Sequence, residues 1–174
     1  LLVGSRVLSY VEGGAVVPRL LVDLNLPATT VLTSVWGVSA EDAWVVGSKG
    51  VLAHIVGMKA TTLKTGVTDE LRGVHGSGSQ VWAVGELSSV FHTEGMTASA
   101  VQLDSNKTRL NGVWAQSEQD VWIVGDSGTV WRGSGLSFRS VTSGTKKNLL
   151  AVTGNAAGEV WIVGEGGTIL RHAP

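Results

Sequence analysis

The chain has 174 residues, a formal net charge of −1, and 43% apolar against 16% charged residues. That length suits one domain with a sizeable core, and the near-neutral balance excludes the basic footprint that nucleic acid or anionic lipid requires. No apolar run approaches the ~20 residues of a membrane-spanning helix, and the absence of cysteine excludes disulfide and thiol chemistry without fixing the compartment.

The chain opens on LLVG, which reads as the middle of a strand. Leu1 is not an initiator methionine and no signal peptide is visible, so the sequence reads as a fragment or excerpt whose compartment is open. The 24 glycines and 3 prolines, set among many Val, Thr and Trp, predict strands joined by tight turns. No segment sustains a helical period.

Four copies of one unit follow: TSVWGVSAEDAWVVGSKGVLAHIVG from Thr33, LRGVHGSGSQVWAVGELSSVFHTEG from Leu71, LNGVWAQSEQDVWIVGDSGTVWRGSG from Leu110 and LLAVTGNAAGEVWIVGEGGTILRHA from Leu149. Val35, Val74, Val113 and Val152 are each 39 residues apart. A fifth, partial copy, LLVGSRVLSYVEGG, aligns on Gly4, with Leu1 where the others carry tryptophan. Each unit divides into four runs, A to D. Run A is SVWG in the first complete unit and RGVHG in the second, and in the third unit runs B, C and D are DVWIVG, TVWRGS and SFRSVT. Run B is apolar at successive positions, so both faces of that strand need cover. Run D alternates and suits an exposed outer strand. Four strands in about 39 residues leave no room for a helix and mark a β-propeller.

The expected fold is therefore all-β: one propeller domain over residues 1–174, with a partial blade at 1–30, repeats at about 31–69, 70–108 and 109–147, and a partial blade at 148–174. The chain holds runs B-C-D, three full sets, then A-B-C, which leaves unpaired edges at both ends. Another chain or a missing segment would close the ring. Trp44, Trp82, Trp122 and Trp161 share one run B position and are expected to pack between blades. Trp36, His75, Trp114 and Thr153 share a run A position near the central channel.

GDSG at residues 125–128 spells the nucleophile motif of trypsin-like proteases, but the same slot holds GSKG and GEGG in other repeats. No histidine stands in a context to act as base, so Gly128 and Gly167 read as positive-φ hairpin residues. The histidines, His54, His75, His92 and His172, sit at scattered positions, and no spacing supports a metal site. No cofactor and no catalysis is expected. Asn106-Lys107-Thr108 fits a glycosylation acceptor, a pattern common by chance.

In a propeller the B–C turns and D–A connections share one face. That face collects Glu86, Asp126 and Glu165 with a ring of Arg72, Lys107, Arg109, Lys146 and Lys147. With His75 these are the candidate binding residues, a docking face for an acidic protein partner. The opposite, A–B face collects Glu41, Asp42, Glu118, Asp120 and Glu159. The alternative reading is a lectin-like carbohydrate-binding propeller, and less favoured again a glycoside hydrolase of the sialidase class. Turn residues that differ between copies argue against repeated sugar pockets, and run A offers no carboxylate pair.

VWIVGEGGTILRHA and VWIVGDSGTVWRGSG resemble repeats of the photosystem II stability/assembly-factor-like family within the wider BNR-repeat propellers. The likeness covers all five copies at run B, the Gly-rich turn and run C. The Asp-box S-x-D-x-G-x-x-W is absent, with HTEGMTAS or RGSGLSFR in its place, and VWGVSAEDAWVVG is similar to repeats of secreted or surface propellers of environmental bacteria. The resemblance implies a bacterial, extracytoplasmic binding or scaffold protein. The sialidase constellation is not matched, Tyr10 being the sole tyrosine.

Overall fold

The computed structural model describes the backbone of residues 2–4, 7–12 and 15–20, and residues 26, 29–39, 41–57, 59–104 and 107–174 in full. Leu1, the Tyr10 side chain and Asn106 lie outside the described residues. The described strands form five antiparallel sheets. The first contains β1 (Leu2–Gly4), β2 (Val7–Glu12) and β3 (Ala15–Leu20). The second runs β4 (Leu32–Ser39), β5 (Asp42–Gly47), β6 (Val51–Val56), β7 (Lys59–Thr62). The third runs β8 (Leu71–Ser77), β9 (Gln80–Gly85), β10 (Val90–Glu94), β11 (Thr97–Ala100). The fourth runs β12 (Leu110–Ser117), β13 (Asp120–Gly125), β14 (Val130–Ser134), β15 (Ser137–Ser140). The fifth contains β16 (Leu149–Gly154), β17 (Val160–Gly164) and β18 (Thr168–His172). In every sheet the strands neighbour one another in chain order. The chain is an all-β partial propeller of antiparallel blades. No helix among the described residues is long and apolar enough to cross a membrane.

Strands β4, β8, β12 and β16 lie side by side along the inside of the arc. Successive blades pack face to face. Trp82, Val84 and Val90 of the third blade meet Val113, Val121, Ile123 and Trp131 of the fourth. Trp44, Val46 and Leu52 meet Leu71, Val74, Val81 and Ala83, and Trp122, Val124 and Val130 meet Leu149, Val160 and Ile162. One face of each blade is thus led by the tryptophan and the other by the branched residues flanking it, as the period of two requires. The outer strands β7, β11 and β15 are largely exposed.

One expectation fails here. Trp82 is 0% exposed, and Trp44 and Trp122 are buried, but Trp161 is 42% exposed. The cause is positional: no described sheet lies beyond the tryptophan face of β17, so Val163 and Ile169 beside it are exposed too.

The B–C turns share one geometry. Lys49-Gly50, Leu87-Ser88, Ser127-Gly128 and Gly166-Gly167 all have φ between 53° and 74°. The residue after each pair donates its N–H to the carbonyl of the residue before it. These are two-residue type I′ hairpins, whose twist matches that of the flanking strands. They also latch blades together: Gly50 N–H donates to Asp69 O, Ser88 N–H to Thr108 O and Gly128 N–H to Lys147 O, each on the connection to the next blade. A Cβ on Gly128 would stand 1.9 Å from Thr145 O, whereas one on Gly167 would meet nothing within 4 Å.

Two stability measurements follow. Trp82→Ala should cost about 3–5 kcal/mol as a buried large-to-small change, and Trp161→Ala less than about 1 kcal/mol. Urea unfolding reads both, and equal losses contradict the packing described. Gly128→Ala should destabilise by clearly more than the roughly 1–2 kcal/mol that left-handed backbone alone costs a non-glycine residue. Gly167→Ala should stay near that figure.

Candidate functional site

Residues 33, 72, 111 and 150 are the second residues of the four inner strands, at the end where the B–C turns lie. Thr33, Arg72, Asn111 and Leu150, with Glu70, line a cavity of about 350 Å³. Its walls are tied to the ring by backbone carbonyls. Thr33 Oγ1 donates to Leu71 O of the next blade at 2.5 Å. Asn111 Nδ2 donates to Leu149 O, again of the next blade, at 2.9 Å, and to Asp126 Oδ1 at 2.8 Å. Arg72 instead turns to carboxylates: its Nη1 lies 2.6 Å from Glu70 Oε1 and 3.7 Å from Glu86 Oε1. Its Nε is buried without a hydrogen-bond partner.

Arg109 Nε also meets Glu86 Oε1, at 2.9 Å. Glu86 therefore bridges Arg72 and Arg109, and the three candidates come together as one cluster. Within the basic ring, Glu70 and Glu86 thus balance both arginines. Lys146 and Lys147 are exposed and form no ion pair among the described residues, and Lys107 stands in the connection that Ser88 latches. Asp126 is held by Asn111, and Glu165 accepts from Asn148 Nδ2 at 3.1 Å. These two acids stay with their own turns and do not join the arginines.

His75 does not join the cluster either. Strand β8 runs from the cluster at Leu71 toward the opposite face at Ser77, and residue 75 lies past its middle. The ring is wedged between blades: its Nδ1 accepts the N–H of Ala115 at 3.1 Å, and its centroid is 5.7 Å from that of Trp36. Trp36 lies over Gly76, and Trp114 over Gly154, where a Cβ would approach the indoles to 2.6 Å and 2.4 Å. The run A aromatics are thus seam residues, each matched by a small residue on the next blade.

The A–B face is not a ring of free acids. In each of the three complete repeats and in the last, partial one, the residue two before the run B tryptophan meets the residue 12 further on. Asp42 pairs with His54 Nε2 at 2.7 Å, Gln80 with His92 Nε2 at 2.9 Å, and Asp120 with Arg132 Nε at 2.6 Å, while Glu159 pairs with Arg171. The second partner lies on the tryptophan. His54 stacks on Trp44 at 4.2 Å and 11°, and the Arg132 guanidinium sits 4.7 Å over Trp122. The signal, a fixed offset of 12 with a base at its far end, was present in the sequence and was missed. It explains His54 and His92 as structural. Among the described residues no three His, Asp or Glu side chains converge as a metal site. The GDSG serine, Ser127, is an exposed turn residue whose N–H donates to Asn148 Oδ1.

Comparison with known proteins places the fold. No protein-family model matches the chain, and no curated protein does. Among solved structures, YCF48 from Cyanidioschyzon merolae is similar at a TM-score of 0.75 and 14% identity, over 98% of this chain and 62% of that one. YCF48 bound to D1 peptide is similar at 0.65 and 20%, over 84% and 52%. A catalytically inactive virginiamycin B lyase from Staphylococcus aureus with quinupristin is similar at 0.71 and 12%, over 97% and 63%. The chain thus spans about half to three fifths of these proteins. At such identities the likeness establishes the propeller fold. The lyase corrects the expectation of a non-catalytic chain, because the fold is shared with enzymes and does not exclude catalysis.

Burial pushes the pKa of His75 below its usual value, against a raising hydrogen bond at Gly76. Burial does the same to His92, 4% exposed, against the nearby carboxylates Glu94 and Glu118. Burial thus favours the neutral ring at both positions in the fold, while the unfolded chain binds protons on them below about pH 6.5. Stability should therefore fall as pH drops below about 6.5. A melting-temperature series from pH 7.5 to 5 reads this. The fall should shrink in His75→Gln and His92→Gln, and an unchanged slope in both contradicts the neutral seam.

Proposed function

We propose that residues 1–174 act as one propeller domain that binds a protein partner as an extended peptide across the cluster at the channel mouth. The observation that carries this is the asymmetry of that cavity. Four equivalent positions of an internal repeat converge there, and they bear a hydroxyl, a guanidinium, an amide and an isobutyl group. A set of identical sugar sites would need the same group from each blade; a peptide of varied side chains does not. The buried, unpartnered Nε of Arg72 offers a donor that a partner carboxylate or carbonyl satisfies. YCF48 bound to D1 peptide, which shares the fold, supports the peptide reading. The repeat resemblance to BNR-type and photosystem II assembly-factor-like propellers is consistent with it.

A second reading concerns completion of the ring. The apolar face of Trp161, Val163 and Ile169 and the outer edge of β18, unpaired among the described residues, suit a further sheet of the same repeat type, from another chain or segment.

The peptide reading is tested with an array of acidic and neutral peptides, probed with wild type and with Arg72→Gln/Arg109→Gln. Acidic peptides should be retained by wild type, with at least tenfold weaker retention by the double variant. Equal retention of the same peptides by both proteins would rule out the cluster as the site.

A further inference from the structure

A second cavity lies away from the channel, beside the outer half of the fourth blade. It is an open depression of about 520 Å³ between the β14 start, the end of β15, the connection at residues 141–146 and Thr108 on the connection from the third blade. Cross-strand register sets Trp131 opposite Ser140. Those two therefore share one face, and Thr129, just before β14, and Thr142, just after β15, line the cavity beside them.

Its lining is rich in donors and contains no carboxylate. Trp131 is 6% exposed, and its indole N–H is buried with no hydrogen-bond partner. A buried donor left unpaired costs about 1–3 kcal/mol, a penalty that a bound acceptor would remove. Lys146, also in the lining, carries a charge with no ion-pair partner among the described residues. Thr108, Thr129, Ser140 and Thr142 add hydroxyls that make no hydrogen bond among the described residues, whereas Ser143 and Thr145 hold their own loop together. Val130, Val141 and the indole supply apolar wall.

We propose that this cavity binds an anionic monosaccharide, a sugar carrying a phosphate or sulfate ester. The cation and the indole N–H take the ester oxygens, since no carboxylate opposes them. The hydroxyls take the ring hydroxyls, and the apolar wall takes the C–H face of the sugar. The volume lies within the range of small-molecule sites and greatly exceeds that of an inorganic oxyanion. The site belongs to one blade: where Trp131 stands, the second, third and fifth blades carry Ala53, Phe91 and Leu170, at the same register. It stands independently of the peptide reading, because none of its lining residues lines the channel mouth.

Isothermal titration with glucose 6-phosphate, glucose 6-sulfate, glucose and inorganic phosphate tests it. Wild type should bind one of the esters with a Kd of about 1 mM or tighter, the range expected of a small polar ligand, and should bind glucose and inorganic phosphate at least tenfold more weakly. Lys146→Glu, an exposed change that leaves the fold intact, should lose at least tenfold. Trp131→Phe, which removes only the indole donor and some volume, should also weaken the ester. Absence of ester binding overturns the site. Equal binding by Lys146→Glu overturns its location, and inorganic phosphate bound as tightly as the ester overturns the ligand class.

Discussion

The B strands are apolar on both faces, and the whole architecture answers to that. Val121, Ile123 and Val124 are completely buried and Trp122 nearly so, with neighbouring blades on either side. A sheet built on such a strand cannot face water, so blades must follow one another around an arc. The tryptophan fills the gap toward the next blade and the branched residues receive the tryptophan of the previous one. Where no described blade follows, at β17, the same residues stand exposed.

Polar groups secure what the hydrophobic seams bring together. On one face, type I′ turns reach the connection to the following blade by a single backbone hydrogen bond. On the other, a carboxylate or amide holds an imidazole or guanidinium over the tryptophan. Along the inner strands, Trp36, His75 and Trp114 cross the seam onto small residues of the next blade. Each device acts between neighbours in chain order, so stability is largely local, as in other repeat architectures. The positions left over, at the channel mouth and on the outer wall of the fourth blade, are those where the repeats differ.

Much of this was legible in the sequence. Unbroken apolarity in DAWVVG and DVWIVG pointed to a strand covered on both sides, and the 39-residue period supplied the blades. The glycines of GSKG, GDSG and GEGG marked the hairpins. ELSS did not: Leu87 and Ser88 adopt the same positive φ without glycine, because the turn's latches and flanking strands impose it. The candidate site was only half legible. Charges could be assigned to a face from the topology, but the pairing of Arg72 and Arg109 through Glu86 depends on two turns meeting in space. Strand position alone sets His75 near the central channel, whereas the small residue at Ala115 lets it sink into the seam. The exclusion of catalysis rested on missing motifs, and a fold shared with lyases removes its force.

Amide hydrogen exchange under native conditions tests the mutual cover of blades most directly. Strands β9, β13 and β17 occupy the same place in their sheets and are each hydrogen-bonded on both edges. Their protection should differ only through what lies on their faces. The account predicts slow exchange in β9 and β13, and exchange in β17 faster by at least tenfold. Equal protection in all three strands would contradict it.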